Sequence, residues 1–309
     1  MDKTRYRVRN WREYNRALKE RYRLTIGVSE EVFSGWYAAP SGARGAPRRY
    51  SDLAVEFALT IRALFHLPLR GCEGVLEGLL GSLGLAVPDY TTLCRRGKTL
   101  AVTLPRLKRG DHLWMAVDAS GLKVSGEGEW KVRMHGVGKR RTWRKLHIGV
   151  DVETGEIVAG VLTTADVHDS EVLTDLLERT EGPVEAVGGD GAYDTRDNYE
   201  AISNRGAKAL IPPRRGARIW RHGNRCGPPL PRDEILRYIR RHGRKKWKQE
   251  SGYHRRSLAE TAFFRLKTIF DEKLSSRLFD NQATEALLRL RILNRMTAIG
   301  MPEPYPVNN

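Results

Sequence analysis

The chain is short of sulfur. Three cysteines, Cys72, Cys94 and Cys226, are scattered over 309 residues without CxxC spacing. That excludes a disulfide framework, argues against a structural zinc site and fits a reducing, cytoplasmic compartment. Long apolar runs are missing too. No stretch reaches 18 apolar residues, so no membrane-spanning helix is expected. The opening MDKTRYRVRNWREYNRALKERYR lacks the apolar centre of a signal peptide. No glycine-rich Walker loop occurs, which argues against nucleotide hydrolysis. No internal repeat stands out. Acids are outnumbered: 37 Asp and Glu face 54 Lys and Arg, a net charge of +17 with a pI near 10.0. That balance points to a polyanionic partner. A membrane surface is disfavoured, because no long basic amphipathic helix carries lipid-facing aromatics. A nucleic acid is the better match, with a merely basic housekeeping protein as the bland alternative.

The length suggests about two domains. Residues 1–48 read as an Arg-rich arm with a helix over roughly 10–21. Residues 49–108 read as helical. Ser51 is placed to cap SDLAVEFALTIRALF, CEGVLEGLLGSLG follows after a break, and Asp89 is placed to cap a third helix. That third helix offers Thr91, Thr92, Arg95 and Arg96 on its polar side. The outline is that of a helix-turn-helix module, with Arg95 and Arg96 as candidate DNA contacts, although any three-helix bundle shares it.

From residue 109 to 300 the pattern predicts an α/β domain. LWMAVDAS, KLHIGVDV and EIVAGVLTTA read as strands, the last two joined by a hairpin at Glu153-Thr154-Gly155-Glu156. A helix opened by Ser170, a strand VEAVGGD, a helix ending at Gly206 and a strand KALIPP follow. The order is three strands, helix, strand, helix, strand. Residues 214–256 interrupt it with 15 Arg and Lys against Asp233, Glu234 and Glu250. Charge at that density repels itself unless a polyanion neutralises it. The segment is either a solvated basic loop or a nucleic-acid arm. In the latter, Arg214 and Arg215 would meet phosphates, and Trp220 or Trp247 would serve as stacking platforms. EALLRLRILNRMTAIG closes the chain as an amphipathic helix with arginines on its wet face.

Two apolar runs end in acids, at Asp118 and Asp190. A third acid, Glu260, lies in GYHRRSLAETAFFRLKTIF. Helical spacing puts Arg256, Glu260 and Lys267 on one stripe. A Glu between two cations is often only a salt-bridged surface. With Asp118 and Asp190 at strand ends, however, three carboxylates on separate elements beside basic side chains suggest metal-dependent phosphoryl transfer on nucleic acid. Carboxylates brought close repel and raise each other's pKa, and a divalent cation relieves that. Oxygen ligands favour Mg²⁺ or Mn²⁺ over zinc. The competing acids read as structural: Asp151 as a strand-end surface residue, Asp194 as a helix cap. Asp169 is placed to support a helix N-terminus, with His168 beside it. The remaining histidines lack ligand spacing.

Three blocks resemble the bacterial insertion-sequence transposases of the DDE type, in the IS-five group and its IS-four-like relatives. They are AVDASGLKV; GGDGAYDTRDNYEAI with KALIPPRR; and Y-x2-R-x3-E-x6-K over Tyr253, Arg256, Glu260 and Lys267. The resemblance implies a ribonuclease-H-like core, a mixed five-stranded sheet with flanking helices. It implies an acidic triad of Asp118, Asp190 and Glu260 holding two Mg²⁺ or Mn²⁺ ions, and phosphate contacts from Tyr253, Arg256 and Lys267. The implied reaction is hydrolysis at the element's ends, followed by attack of the freed 3′-hydroxyl on target DNA. Partners would be double-stranded DNA, as inverted repeats and target, and a second copy of the chain in a dimer or larger assembly. The implied setting is the bacterial nucleoid. The alternatives are a nuclease on the same fold that cuts without joining, and a DNA-binding repressor that uses only the helical module.

Overall fold

The computed structural model describes residues 5–22, 30–40, 42, 47–106, 112–124, 143–221 and 229–307. The glycine-containing stretch over 125–142, Cys226 and residues 222–228 of the basic insertion lie outside them. The chain divides into two compact units, Met1–Val102 with Leu278–Asn309, and Thr103–Arg277.

In the first unit, β1 (Arg5–Val8) pairs antiparallel with the C-terminal strand β8 (Pro304–Val307), a pairing that the sequence did not announce. Among the described residues before residue 100 the α-helices are α1 (Trp11–Glu20), α2 (Glu30–Ser34), α3 (Asp52–Leu64), α4 (Leu69–Leu80) and α5 (Tyr90–Arg96). The expected caps form. Ser51 accepts from the Ala54 N–H at 3.2 Å, and Asp89 accepts from Thr91 and Thr92 N–H at 2.9 Å. α3 buries Ala54, Val55, Phe57, Ala58, Leu59 and Ile61, so it needs cover on several sides. Part of that cover comes from α11 (Phe279–Ile299), which packs on α3 and adds Leu288 to the same core. The final helix therefore does not belong to a domain running to residue 300. Nor are its arginines wet: Arg289 is buried against Glu285 at 2.6 Å, and Arg291 meets Glu56 at 2.8 Å.

The second unit follows the expected order: β2 (Leu113–Val124), β3 (Trp143–Asp151), β4 (Ile157–Thr164), α6 (Leu173–Arg179), β5 (Val184–Gly188), α7 (Arg196–Asn204) and β6 (Lys208–Leu210). The sheet runs β4-β3-β2-β5-β6. The first three strands are antiparallel, and β5 and β6 run parallel to β2. A sixth short strand, β7 (Lys273–Leu274), pairs with the far end of β2, which is long enough to outrun β5. Gly155 turns the β3–β4 hairpin at φ 72°, a conformation that suits glycine. Leu113, Met115 and Val117 of β2 share one face with Leu173, Leu176 and Leu177 of α6 and Ile202 of α7. From Pro231 the insertion is a helical pair, α8 (Pro231–His242) and α9 (Arg244–Glu250), while its described residues 214–221 are turn and irregular backbone. A 3₁₀ turn, Tyr253–Arg256, leads into α10 (Ser257–Phe270), which packs on β2 and β3. Among the described residues no helix is long and apolar enough to cross a membrane.

Candidate active site

Register places the first two acids. Ala116 of β2 is level with Gly188 of the parallel strand β5. Asp118 and Asp190 each lie two residues further in the same direction, Asp118 still within β2 and Asp190 just past the end of β5 in extended backbone. Odd-numbered β2 side chains enter the core under α6 and α7, which leaves Asp118 on the α10 side. Asp190 caps a 3₁₀ turn, Gly191–Tyr193, accepting from the Ala192 N–H at 2.8 Å. Close packing fixes its approach. A Cβ on Gly188 would fall 2.7 Å from the Trp114 ring, and one on Gly189 would fall 2.9 Å from Tyr193. Arg214 braces the turn from outside, donating to the Gly191 and Ala192 carbonyls at 3.0 and 3.1 Å.

Glu260 arrives from α10. Its carboxylate accepts from Arg256 at 2.6 Å and stays about half exposed. Burial pushes the Asp118 carboxyl up; the Ala119 N–H and Arg256 oppose the rise, while Asp190 and Glu260 add to it. Burial alone would lower the Arg256 pKa, but Tyr253, Asp118, Glu260 and Asp190 outweigh it and hold the guanidinium more firmly charged. Asp190 and Glu260 thus both act on Asp118, and all three acids act on one arginine.

Whether these residues suit a divalent cation rests on two features. In chemistry they do: the set is three carboxylates, with no thiol or imidazole. The Tyr193 hydroxyl is buried, has no hydrogen-bond partner among the described residues, and feels Asp169, then Asp118 and Asp190, so a polar partner beside these acids would satisfy it. In position the set is not closed. Among the described residues no three His, Cys, Asp or Glu side chains form a group that could hold a metal ion. Glu260 faces Arg256 instead.

The expected DNA contacts separate. Lys267 is half-buried on α10, and Arg95 and Arg215 are exposed. Arg96 is engaged, bonding Asp52 at 2.5 Å and the Tyr50 carbonyl at 2.8 Å. Arg214 is used on the Asp190 turn. Tyr253 and Trp247 are each 6% exposed and pack on each other at 5.6 Å, so neither offers a free ring face. Their ring contact is what seats α9 against the turn before α10. Trp220 is also engaged, with the Arg232 guanidinium 3.8 Å above its ring and Tyr199 edge-on at 5.7 Å.

Several acids differ from expectation. Asp194 does not cap α7; it is buried against Arg232 at 2.7 Å and accepts from the Arg214 N–H at 2.9 Å. Asp151 is buried, not superficial, and accepts from Glu153 N–H and the Thr154 hydroxyl within its own hairpin. His168, not Ser170, caps the turn before α6, in a reciprocal box with Glu171. Asp169 bonds Lys145 at 2.9 Å. Sequence reasoning missed Tyr193, although it stands inside GDGAYD, and missed the brace from Arg214.

A family model described as Transposase DDE domain matches residues 109–295, and a second model of the same description matches residues 19–127. Among solved structures, the cryo-EM structure of a piggyBac transposase synaptic complex with hairpin DNA aligns at TM-score 0.38 and 9% identity. The alignment covers 88% of this chain and 73% of that one, a likeness too loose to carry an argument.

Proposed function

The chain belongs to the family of transposase DDE domains, and from that premise we propose that it cuts DNA at the terminal inverted repeats of an insertion sequence and joins the freed 3′ ends to target DNA. The single observation that supports this most is the register that sets Asp118 in β2 beside the end of the parallel strand β5, just past which Asp190 lies, with β2 packed under the helix that carries Glu260. The sheet order, with three antiparallel strands followed by two parallel ones, supports the reading of a ribonuclease-H-like core.

The family implies use of a divalent metal. Asp118 and Asp190 would hold Mg²⁺ or Mn²⁺, with Glu260 completing the set once it turns from Arg256. Two such ions, when bound, supply charge neutralisation at the attacking and leaving oxygens of a phosphodiester. The chain's own residues do the rest. Arg214 and the Ala192 N–H hold the Asp190 turn in place. Arg256 keeps three carboxylates from repelling one another apart before DNA enters, then becomes available to a phosphate. Lys267, two turns along α10 from Glu260, extends the same grip. Arg95 and Arg215 supply exposed charge for the duplex, and a second copy of the chain holds the other end.

The test is a joining assay. Full-length protein, Mg²⁺ or Mn²⁺, a supercoiled target and a labelled duplex from the DNA bracketing its own coding sequence are incubated together. Joined products are expected. Cleavage without joining would indicate a nuclease, and binding without either, unchanged in Glu260→Ala, a repressor.

A further inference from the structure

α10 buries Ala259, Ala262, Phe263, Leu266 and Phe270, which completes its inward face. Phe264 is left outside. At 71% exposure it is the most exposed large apolar side chain among the described residues. It stands on the outward stripe formed by Ser257, Glu260, Thr261, Phe264 and Thr268. The hydroxyls of Thr261 and Thr268 are turned back onto the helix, donating to the Ser257 and Phe264 carbonyls at 3.1 and 2.8 Å. The stripe therefore presents Glu260 and Phe264 as its two large side chains, with Arg256 preceding them and Lys267 following them along the helix axis.

An aromatic ring held in water between cations has a matched occupant in a nucleic acid, which offers phosphates to the charges and a base face to the ring. Spacing narrows the choice of base. Four helical residues advance about 6 Å along the axis, and successive bases in a stacked strand lie about 3.4 Å apart. A strand whose reacting phosphate meets Glu260 brings a base within about two steps of Phe264. Cutting at that phosphate leaves a terminal base with one bare face. We propose that Phe264 is an end-stacking platform for the terminal base of the cleaved strand, so that the protein holds a cut end more tightly than continuous DNA. This rests on the transposase reading above. It adds a contact that none of the four signature residues makes.

The test compares two duplexes from the bracketing DNA, one continuous and one pre-cut, the latter with 2-aminopurine as its terminal base. Wild-type protein should bind the pre-cut duplex about tenfold more tightly, within the range that one stacked base supports, and should quench the 2-aminopurine. Phe264→Ala should abolish both effects without moving the melting temperature, since the ring is outside the core. Phe264→Trp should restore them; Phe264→Leu, apolar but without a π face, should not. Full rescue by leucine, or unchanged quenching in the alanine variant, overturns the proposal. So does a loss of self-association in the alanine variant without DNA, which would give the ring to a second copy of the chain. Failure of wild-type protein to bind or cut either duplex would sink the transposase reading instead, so the two failures are distinguishable.

Discussion

The two halves of the candidate site are built differently. The sheet half holds Asp118 inside a twelve-residue strand flanked on both sides, and Asp190 on a turn pinned by an N–H, two ring contacts and Arg214. The helix half holds Glu260 on an outward stripe, about half exposed, accepting a hydrogen bond from Arg256. The first is fixed by the fold. The second can change partner by side-chain rotation. Such a division suits a site that must admit a long polyanion and close on it: the rigid half defines where the phosphate goes, and the adjustable half completes the set.

The largest expected effect tests whether both halves belong to one site. Asp118→Asn, Asp190→Asn and Glu260→Gln should each lower cleavage by roughly a thousandfold or more, while gel-shift affinity for the end survives. Full activity in any one removes that residue from the site. Lengthening sharpens the contrast: Asp118→Glu should cost about a hundredfold, since the strand cannot yield to a misplaced carboxylate, whereas Glu260→Asp should retain distinctly more. Equal losses would mean that the halves do not differ in rigidity.

Next comes the support beneath the insertion. Arg232 is buried with Asp194 and Asp233, and its removal leaves two buried carboxylates with backbone N–H donors but without this counter-charge. Arg232→Ala should destabilise the protein by about 3–5 kcal/mol in denaturant titration. A loss under 1 kcal/mol would show that the ion cluster is not integral to the fold.

A comparable effect concerns pH. His147 on β3 is fully buried, with Nε2 3.0 Å from the Thr163 hydroxyl, and burial holds its pKa down to about 4. Asp169 opposes that shift and Lys145 assists it. Because the folded value lies below the unfolded one, near 6.5, the unfolded chain takes up the proton first on acidification. The stabilisation is complete above about pH 6.5 and is lost as pH falls towards 4, by roughly 3 kcal/mol in all. His147→Gln should flatten the stability profile over that window alone, measured by urea melts at several pH values. Parallel profiles would contradict it.

The smallest effects belong to the helix-side cations. Arg256→Ala and Lys267→Ala should each weaken end binding and reduce its log-log salt slope by about 1. An unchanged slope would remove that side chain from the phosphate path.

Much of this was legible in the sequence because local rules governed it. Ser51 and Asp89 cap as their type and position require, and the local patterning around Asp118 and Asp190 marked out the succession of strands and helices along the chain. What stayed hidden depended on long-range partners. Nothing local in EALLRLRILNRMTAIG shows that α3 needs it, or that Arg289 will be buried against Glu285. Asp194 reads as a cap until Arg232, 38 residues away, is placed beside it. Trp247 looked available because its neighbours are charged, yet an aromatic amid cations can equally be the one residue that anchors them, as its packing on Tyr253 shows. Phe264 was hidden for the opposite reason: in AETAFFRLK it passes for a second core residue beside Phe263.

The most direct measurement of a shared metal site is affinity cleavage of the full chain loaded with Fe²⁺, with ascorbate and peroxide, followed by mapping of the backbone breaks. Breaks clustered near residues 118, 190 and 260 together, and suppressed by excess Mg²⁺, are the expected result. Breaks confined to one of these segments, or located elsewhere and indifferent to Mg²⁺, would contradict the account.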